Sequence, residues 1–186
     1  MTYAIEVNNL NKVYDGFELK DVCFKLETGT IMGIVGENGA GKSTIIKGIL
    51  DLINIDSGDI KIFGKDFKEN ASEIKKDISV VFDESYFHDN LKLPDIDKIM
   101  KNIYPNWDKN KFLKYTNHFK LPNNKRVKDF SRGMKMKLSI AVALSHNAKL
   151  LILDEATSGL DPVVRDEILD IFLDYIQNED CSILIA

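Results

Sequence analysis

The sequence has no long hydrophobic run. Its apolar stretches are broken well short of the roughly 18 residues that a membrane-crossing helix needs, and nothing at the N-terminus reads as a basic-then-apolar leader. Any association with a membrane is therefore expected through a partner. Cysteine is scarce too. Cys23 and Cys181 both lie in apolar, strand-like runs, which argues against a disulfide framework or a cysteine metal site and predicts two reduced core residues. An excess of positive charge is also missing: 25 Lys and Arg against 29 Asp and Glu leave a formal net charge of −4, the wrong sign for coating nucleic acid. Repeats, low-complexity tracts and flexible linkers are absent. What remains is 186 residues, 44% hydrophobic and 29% charged, which is the composition of one globular domain, with or without an inserted subdomain.

One stretch organises the rest. Gly36-Glu37-Asn38-Gly39-Ala40-Gly41-Lys42-Ser43-Thr44 fits the pattern G-x-x-x-x-G-K-[ST], with Thr44 just beyond it. The run Thr30–Val35 before it predicts a buried strand, and Ser43–Leu50 after it predicts a helix with one apolar face. This is the strand–loop–helix context that the motif requires. Glycines let successive backbone N–H groups point into one concavity, and the start of the helix adds its positive end, so the loop is built to hold a phosphate. Lys42 supplies a charge for the β- and γ-phosphates, and Ser43 a hydroxyl for Mg²⁺. The expected ligand is a nucleoside triphosphate.

Along the chain, Tyr3–Val7 and Val22–Leu26 alternate apolar with polar, as half-buried antiparallel strands do, with a turn at Val13–Phe17 that carries an aromatic. Ser57–Gly64 reads as a turn and a strand, Ala71–Lys76 as a short helix, and Ile78–Phe82 as an apolar strand. From Asp83 to about Leu121 the texture becomes helical, with Pro94 and Pro105 as breaks. Strand character returns at Leu150–Leu153, a helix follows over Pro162–Ile176, and Ser182–Ala186 again reads as strand. The expected architecture is α/β: a P-loop NTPase core with a mainly parallel sheet, an N-terminal antiparallel β-subdomain, and a helical subdomain inserted at about residues 84–147.

Two further motifs carry chemistry. Leu150–Leu153 suits a central parallel strand, and Asp154-Glu155 stands at its C-terminal end, where open α/β sheets bind ligands. Asp154 is the expected Mg²⁺ aspartate opposite Ser43, and Glu155 the expected group that polarises an attacking water. Phe130-Ser131-Arg132-Gly133-Met134-Lys135 then precedes an apolar helix, and Ser158-Gly159-Leu160-Asp161 follows the acidic strand.

These linked motifs, in this order, resemble the nucleotide-binding domain of an ATP-binding cassette (ABC) transporter over essentially the whole chain. The resemblance implies an ATP-hydrolysing subunit, with ATP and Mg²⁺, that powers a separate membrane permease. It would be cytoplasmic, on the inner face of the cell membrane, without inserting into the membrane or binding nucleic acid directly. Tyr14 resembles the aromatic that stacks on adenine; the alternative is a partly buried turn tyrosine. Ser131, Arg132 and Gly133 resemble the signature that meets the γ-phosphate held by a second cassette, which implies a head-to-tail dimer. Asp161 resembles the aspartate that supports that interface, although Asp161-Pro162 alone is simply a helix start. The segment Asp83–Tyr104, with Tyr86 and Phe87 as aromatics expected at the surface, corresponds to the permease contact.

The departures are informative. Where the family has a glutamine after the strand Ile78–Phe82, this chain has Asp83, followed by Glu84: a possible Mg²⁺ ligand and catalytic group, or a solvated loop carboxylate. The signature reads Phe-Ser-Arg-Gly-Met, which resembles bacterial exporter-type cassettes. The switch histidine of the family would fall a residue or two beyond Ala186. The resemblance therefore implies a C-terminally truncated cassette that binds nucleotide and turns it over weakly or not at all. His88, His118 and His146 show no metal-ligand spacing and are expected at the surface, and Trp107 is expected to pack within the helical subdomain. The alternative is a soluble cassette that gates a nucleic-acid or ribosome partner. Such relatives carry a long coiled-coil insertion or two cassettes in one chain, and this sequence has neither.

Overall fold

The computed structural model describes residues 2–83, 86–156 and 160–186. The alternating N-terminal sequence builds two long antiparallel strands, β1 (Tyr3–Tyr14) and β2 (Phe17–Glu27). Asp15 and Gly16 alone separate them, with Gly16 at φ 78°, the left-handed backbone that so tight a hairpin demands. Both strands run several residues further than their apolar alternation suggests. Register shifts between Val7 and Leu10 and between Leu10 and Lys12, with left-handed Asn9 and Asp21, break the period of two that marks a strand. Tyr14 consequently ends β1 and is not part of a loop.

β4 (Ser57–Ile62) pairs antiparallel with β1, and the short β5 (Lys65–Asp66) closes this sheet in the order β2-β1-β4-β5. The second sheet is wholly parallel, in the order β3-β8-β7-β6, from β3 (Ile31–Gly33), β6 (Ile78–Val81), β7 (Leu150–Leu153) and β8 (Ser182–Ile185). β7 lies inside it and is buried on both faces, as four consecutive aliphatics require. Leu150 and Ile152 pack into a core shared with β1, β4 and α1 (Lys42–Ile49), whereas Leu151 and Leu153 pack among helices. β3 corrects the expectation of a buried strand. It pairs only with β8 among the described residues, so Ile31 is 38% exposed and Val35, just beyond it, 96%.

Helix α2 (Phe67–Asp77) kinks at Asn70 (φ −120°), so the expected helix is its second part; the first turn ahead of the kink is capped by the Asp66 carboxylate, which accepts from the N–H groups of Lys68 and Glu69 at 2.8 and 3.2 Å. Between β6 and β7 lie α3 (Leu93–Ile103), α4 (Lys109–His118) and α5 (Arg132–Ala143), and α6 (Pro162–Tyr175) follows β7. Trp107 packs against Phe112 with ring centroids 5.2 Å apart and donates from Nε1 to Asp97 at 2.9 Å, the packing role expected of it.

Three sequence expectations fail here. Cys181 is buried, but Cys23 is exposed on the outer face of β2, its Sγ 3.0 Å from the Asn9 amide. His88 and His118 are exposed, whereas His146 is buried. Its ring stacks on Tyr104 at 3.9 Å and bonds to Ser79 on β6. The left-handed Asn147 ends the helical turn Leu144–His146 and swings the chain toward β7, which tucks His146 beneath the sheet edge. Of the two aromatics expected at the surface after Asp83, Tyr86 is exposed, while Phe87 is half-buried against the helical core.

Candidate functional site

The Gly36–Gly41 loop joins β3 to α1. Ile34 extends the sheet by donating to the Ile185 carbonyl at 2.7 Å, and the loop then folds back through an Ala40 N–H bond to Glu37 O at 3.1 Å. Gly39 and Gly41 take φ 86° and 95°. Gly41 is the N-cap of α1 and supplies no side-chain acceptor, so the first N–H groups of the helix are left for a ligand. A Cβ at Gly41 would stand 2.5 Å from Phe17 Cζ and 2.6 Å from Leu19 Cδ2. The loop therefore rests on the face that β2 presents. Lys42 Nζ donates back to the carbonyls of Gly36 and Glu37 at 3.0 and 3.1 Å, which holds its charge over the loop.

The acidic strand end meets this loop from the other side. Ser43 Oγ donates to Asp154 Oδ1 at 2.9 Å, and Asp154 is only 7% exposed. The Asp154 N–H bonds to Val81 O at 2.9 Å and the Glu155 N–H to Ala186 O at 3.0 Å, so the backbone of both acids is held by the main chain on either side of β7. Glu155 is exposed and left-handed, at φ 52°.

Two neighbouring cavities share Ser43 and Glu155. One, of about 170 Å³, is lined by Phe17, Gly39, Gly41, Lys42 and Thr44 as well. The other, of about 500 Å³, adds Lys47, Leu52, Phe82, Asp83, Tyr86 and Asp154. The structure thus brings together Lys42, Ser43, Asp83, Asp154 and Glu155. Glu84, Ser158 and Gly159 lie outside the described residues. The donor set, a hydroxyl and carboxylates, is of the hard-oxygen kind that Mg²⁺ prefers. Among the described residues no three His, Cys, Asp or Glu side chains form a metal cage.

Tyr14 lines neither cavity. It is 43% exposed and stacks on Phe17 with centroids 6.4 Å apart, while Lys12 Nζ lies 5.1 Å from its ring centroid. Phe17 is the aromatic against the loop, and sequence reasoning passed over it as a turn residue. Its position two residues before Leu19 on β2 was the available signal, since both then face the same side of the strand. Ser131, Arg132, Gly133 and Asp161 border neither cavity. Ser131 caps α5, its Oγ accepting from the Met134 N–H at 3.2 Å, and Asp161 caps α6 by accepting from the Val164 N–H at 3.0 Å. A Cβ at Gly133 would lie 3.8 Å from Leu160 Cδ2, which sets these two helix starts side by side.

A family model described as "ABC transporter" matches residues 19–158. The ABC transporter ATP-binding protein YtrB of Bacillus subtilis is 34% identical over 183 residues, covering 98% of this chain and 62% of its own length. The bacitracin transport ATP-binding protein BcrA of Enterococcus faecalis is 33% identical over 183 residues, 97% of this chain and 59% of its own. The chain thus spans about six-tenths of the length of these relatives. Among solved structures, cbiO1 from Clostridium perfringens, part of the ABC transporter complex cbiONQ, superimposes with a TM-score of 0.80 at 25% identity, over 100% of this chain and 78% of that one. The family match runs unbroken from β2 past Glu155, through the glycine-rich loop, the Ser131 cap and the acidic strand, and on that ground this protein belongs to the ABC transporter family.

Proposed function

We propose that the chain binds Mg-ATP at Gly36–Thr44 and hydrolyses it to drive a separate membrane permease. The observation that carries this reading is the 2.9 Å bond between Ser43 Oγ and Asp154 Oδ1, which joins the phosphate-type loop to the acidic strand end. In this reading the free N–H groups at the start of α1 hold the β-phosphate, and Lys42 exchanges its loop carbonyls for phosphate oxygens. Ser43 and Asp154 hold Mg²⁺, with Asp83 as a further oxygen ligand. Bound there, the ion neutralises charge on the phosphate oxygens. Glu155, exposed to both cavities, accepts the proton of the attacking water. Tyr14 stacks on the adenine, beside Phe17.

Ser131, Arg132, Gly133 and Asp161 stand away from the loop of their own chain, which favours a role across an interface. Two chains would pair head to tail, each supplying these groups to the other's nucleotide. Residues 84–147 form the inserted helical subdomain, and Asp83–Tyr104, where Tyr86 is exposed, faces the permease. Export is the direction we favour, from the signature and from relatives such as BcrA, whose name records bacitracin transport. Among the described residues no helix is long and apolar enough to cross a membrane, so contact with the inner face of the membrane would come through the permease.

Two variants of the full-length protein test this. Lys42→Ala should weaken ATP binding roughly tenfold to a hundredfold, about 1.5–3 kcal/mol for a lost charge-assisted contact. Glu155→Gln should bind ATP yet hydrolyse it about 10²–10⁴-fold more slowly, trapping a dimer visible by light scattering. Unchanged affinity in the first, or unchanged turnover in the second, rules out the assigned roles.

A further inference from the structure

The cavity of about 500 Å³ beside the loop gathers three carboxylates, Asp83, Asp154 and Glu155. A bound nucleotide would add phosphate charge to them, and like charges that share a cavity oppose one another. Lys42 serves the neighbouring cavity, its ammonium lying on the carbonyls of Gly36 and Glu37. Within the larger cavity, Lys47 is the cation among the lining residues. It lies four residues after Ser43, one turn along α1, so the hydroxyl and the ammonium share one face of the helix. Ile45, Ile46 and Ile49 bury the opposite face. Among the described residues Lys47 forms no ion pair, although many of the other lysines do.

We propose that Lys47 is a positioning residue whose ammonium offsets Asp83 in this cavity, so that a carboxylate can stand beside the terminal phosphate of a nucleotide without repelling it. The inference rests on the Mg-ATP reading above. Its competitor is a last-turn lysine that merely complements the C-terminal end of α1.

A double-mutant cycle separates the two, read by calorimetric titration of Mg-ATP and Mg-ADP into the full-length protein. Lys47→Gln should weaken Mg-ATP binding about tenfold, roughly 1.4 kcal/mol. It should weaken Mg-ADP binding less, by about threefold or under, since the opposing charge there is smaller. Lys47→Arg should restore Mg-ATP affinity to within about threefold of the parent. In an Asp83→Asn background, the same Lys47→Gln change should cost no more than about threefold, because the charge it offsets is gone. An equal loss in both backgrounds would overturn the proposal, as would no loss in the parent or an equal loss of ATP and ADP. A parent that binds no Mg-ATP would instead remove the nucleotide reading on which the proposal stands, and that outcome is visible before any variant is made.

Discussion

Gly41→Ala puts the architecture of the loop under direct strain. At φ 95° an L-residue costs about 1–2 kcal/mol that glycine does not. The new Cβ would also stand 2.5 Å from Phe17 Cζ and 2.6 Å from Leu19 Cδ2, far inside van der Waals contact. Leu19 is buried under the loop and has little room to retreat, so overpacking adds about 1–3 kcal/mol. Alanine recovers about 0.4–1 kcal/mol by stiffening the unfolded chain. The expected net loss is about 2–4 kcal/mol, read as a lower urea midpoint at unchanged slope. The loop has one escape, a flip of Gly41 to negative φ. That would move the start of α1, pull Ser43 off Asp154 and transfer the cost to nucleotide affinity, which should then fall at least about tenfold. Both quantities are therefore measured on the same protein. A variant within about 0.5 kcal/mol of the parent in stability and within about threefold in Mg-ATP affinity would refute the claim that β2 fixes the loop.

Burial lowers the pKa of His146 from 6.5 to about 4, with the Lys76 carbonyl, its own carbonyl and Asp77 pulling the other way. The unfolded chain therefore takes up a proton that the folded chain refuses. His146 has no effect on stability above pH 6.5, and its protonation in the unfolded state erodes stability progressively as pH falls toward 4, by about 3 kcal/mol in all. Urea unfolding near pH 7.5 and near pH 4.5 should show the parent losing more over that interval than His146→Gln, and parallel losses would refute it. Glu155→Asn should raise stability by about 0.5–1 kcal/mol, because Asn accepts the left-handed backbone at φ 52° more readily than Glu, while hydrolysis falls. A destabilised variant would show that the turn at Glu155 stores no strain.

What could be read in the sequence was local, and what could not depended on distant partners. The glycine spacing of the loop, the helix start at Asp161 and the four aliphatics of β7 each act within a few residues, and each appears where expected, whereas the helix after Ser131 starts at Arg132, ahead of its apolar run. His146 carries no such signal. Its burial is decided by Tyr104 and by Ser79, the latter 67 residues away, and both reach it only through tertiary packing. Cys23 looked buried because its neighbours are apolar, but the face it occupies was set by the register shifts along β1. β3 is apolar enough for a sheet interior, yet strand order is not written in any one strand, and β8 is its sole partner among the described residues. The site shows the same division. The residue types of the loop and the acidic strand announce their chemistry, whereas Phe17 against the loop and Lys47 among the carboxylates emerge only from the fold.

Asp154 and Glu155 show how a backbone can hold two adjacent carboxylates in different settings. Leu153 before them faces the helical core, and the N–H groups of both acids bond to the main chains of strands on either side, Asp154 to Val81 and Glu155 to Ala186. The sheet therefore sets their positions before either side chain makes a contact. Asp154, nearly buried and bonded to the Ser43 hydroxyl, is held in place and suited to an ion shared with that hydroxyl. At Glu155 the chain turns left-handed, which ends the strand and leaves the carboxylate exposed to both cavities. A carboxylate that must take a proton from water needs that freedom, and one that must hold a cation needs the opposite. Strained backbone persists where the surrounding structure over-determines it, and it clusters at functional sites. In the proposed reading, the left-handed turn falls on the residue of the pair whose side chain takes the proton, and it leaves that side chain open to both cavities.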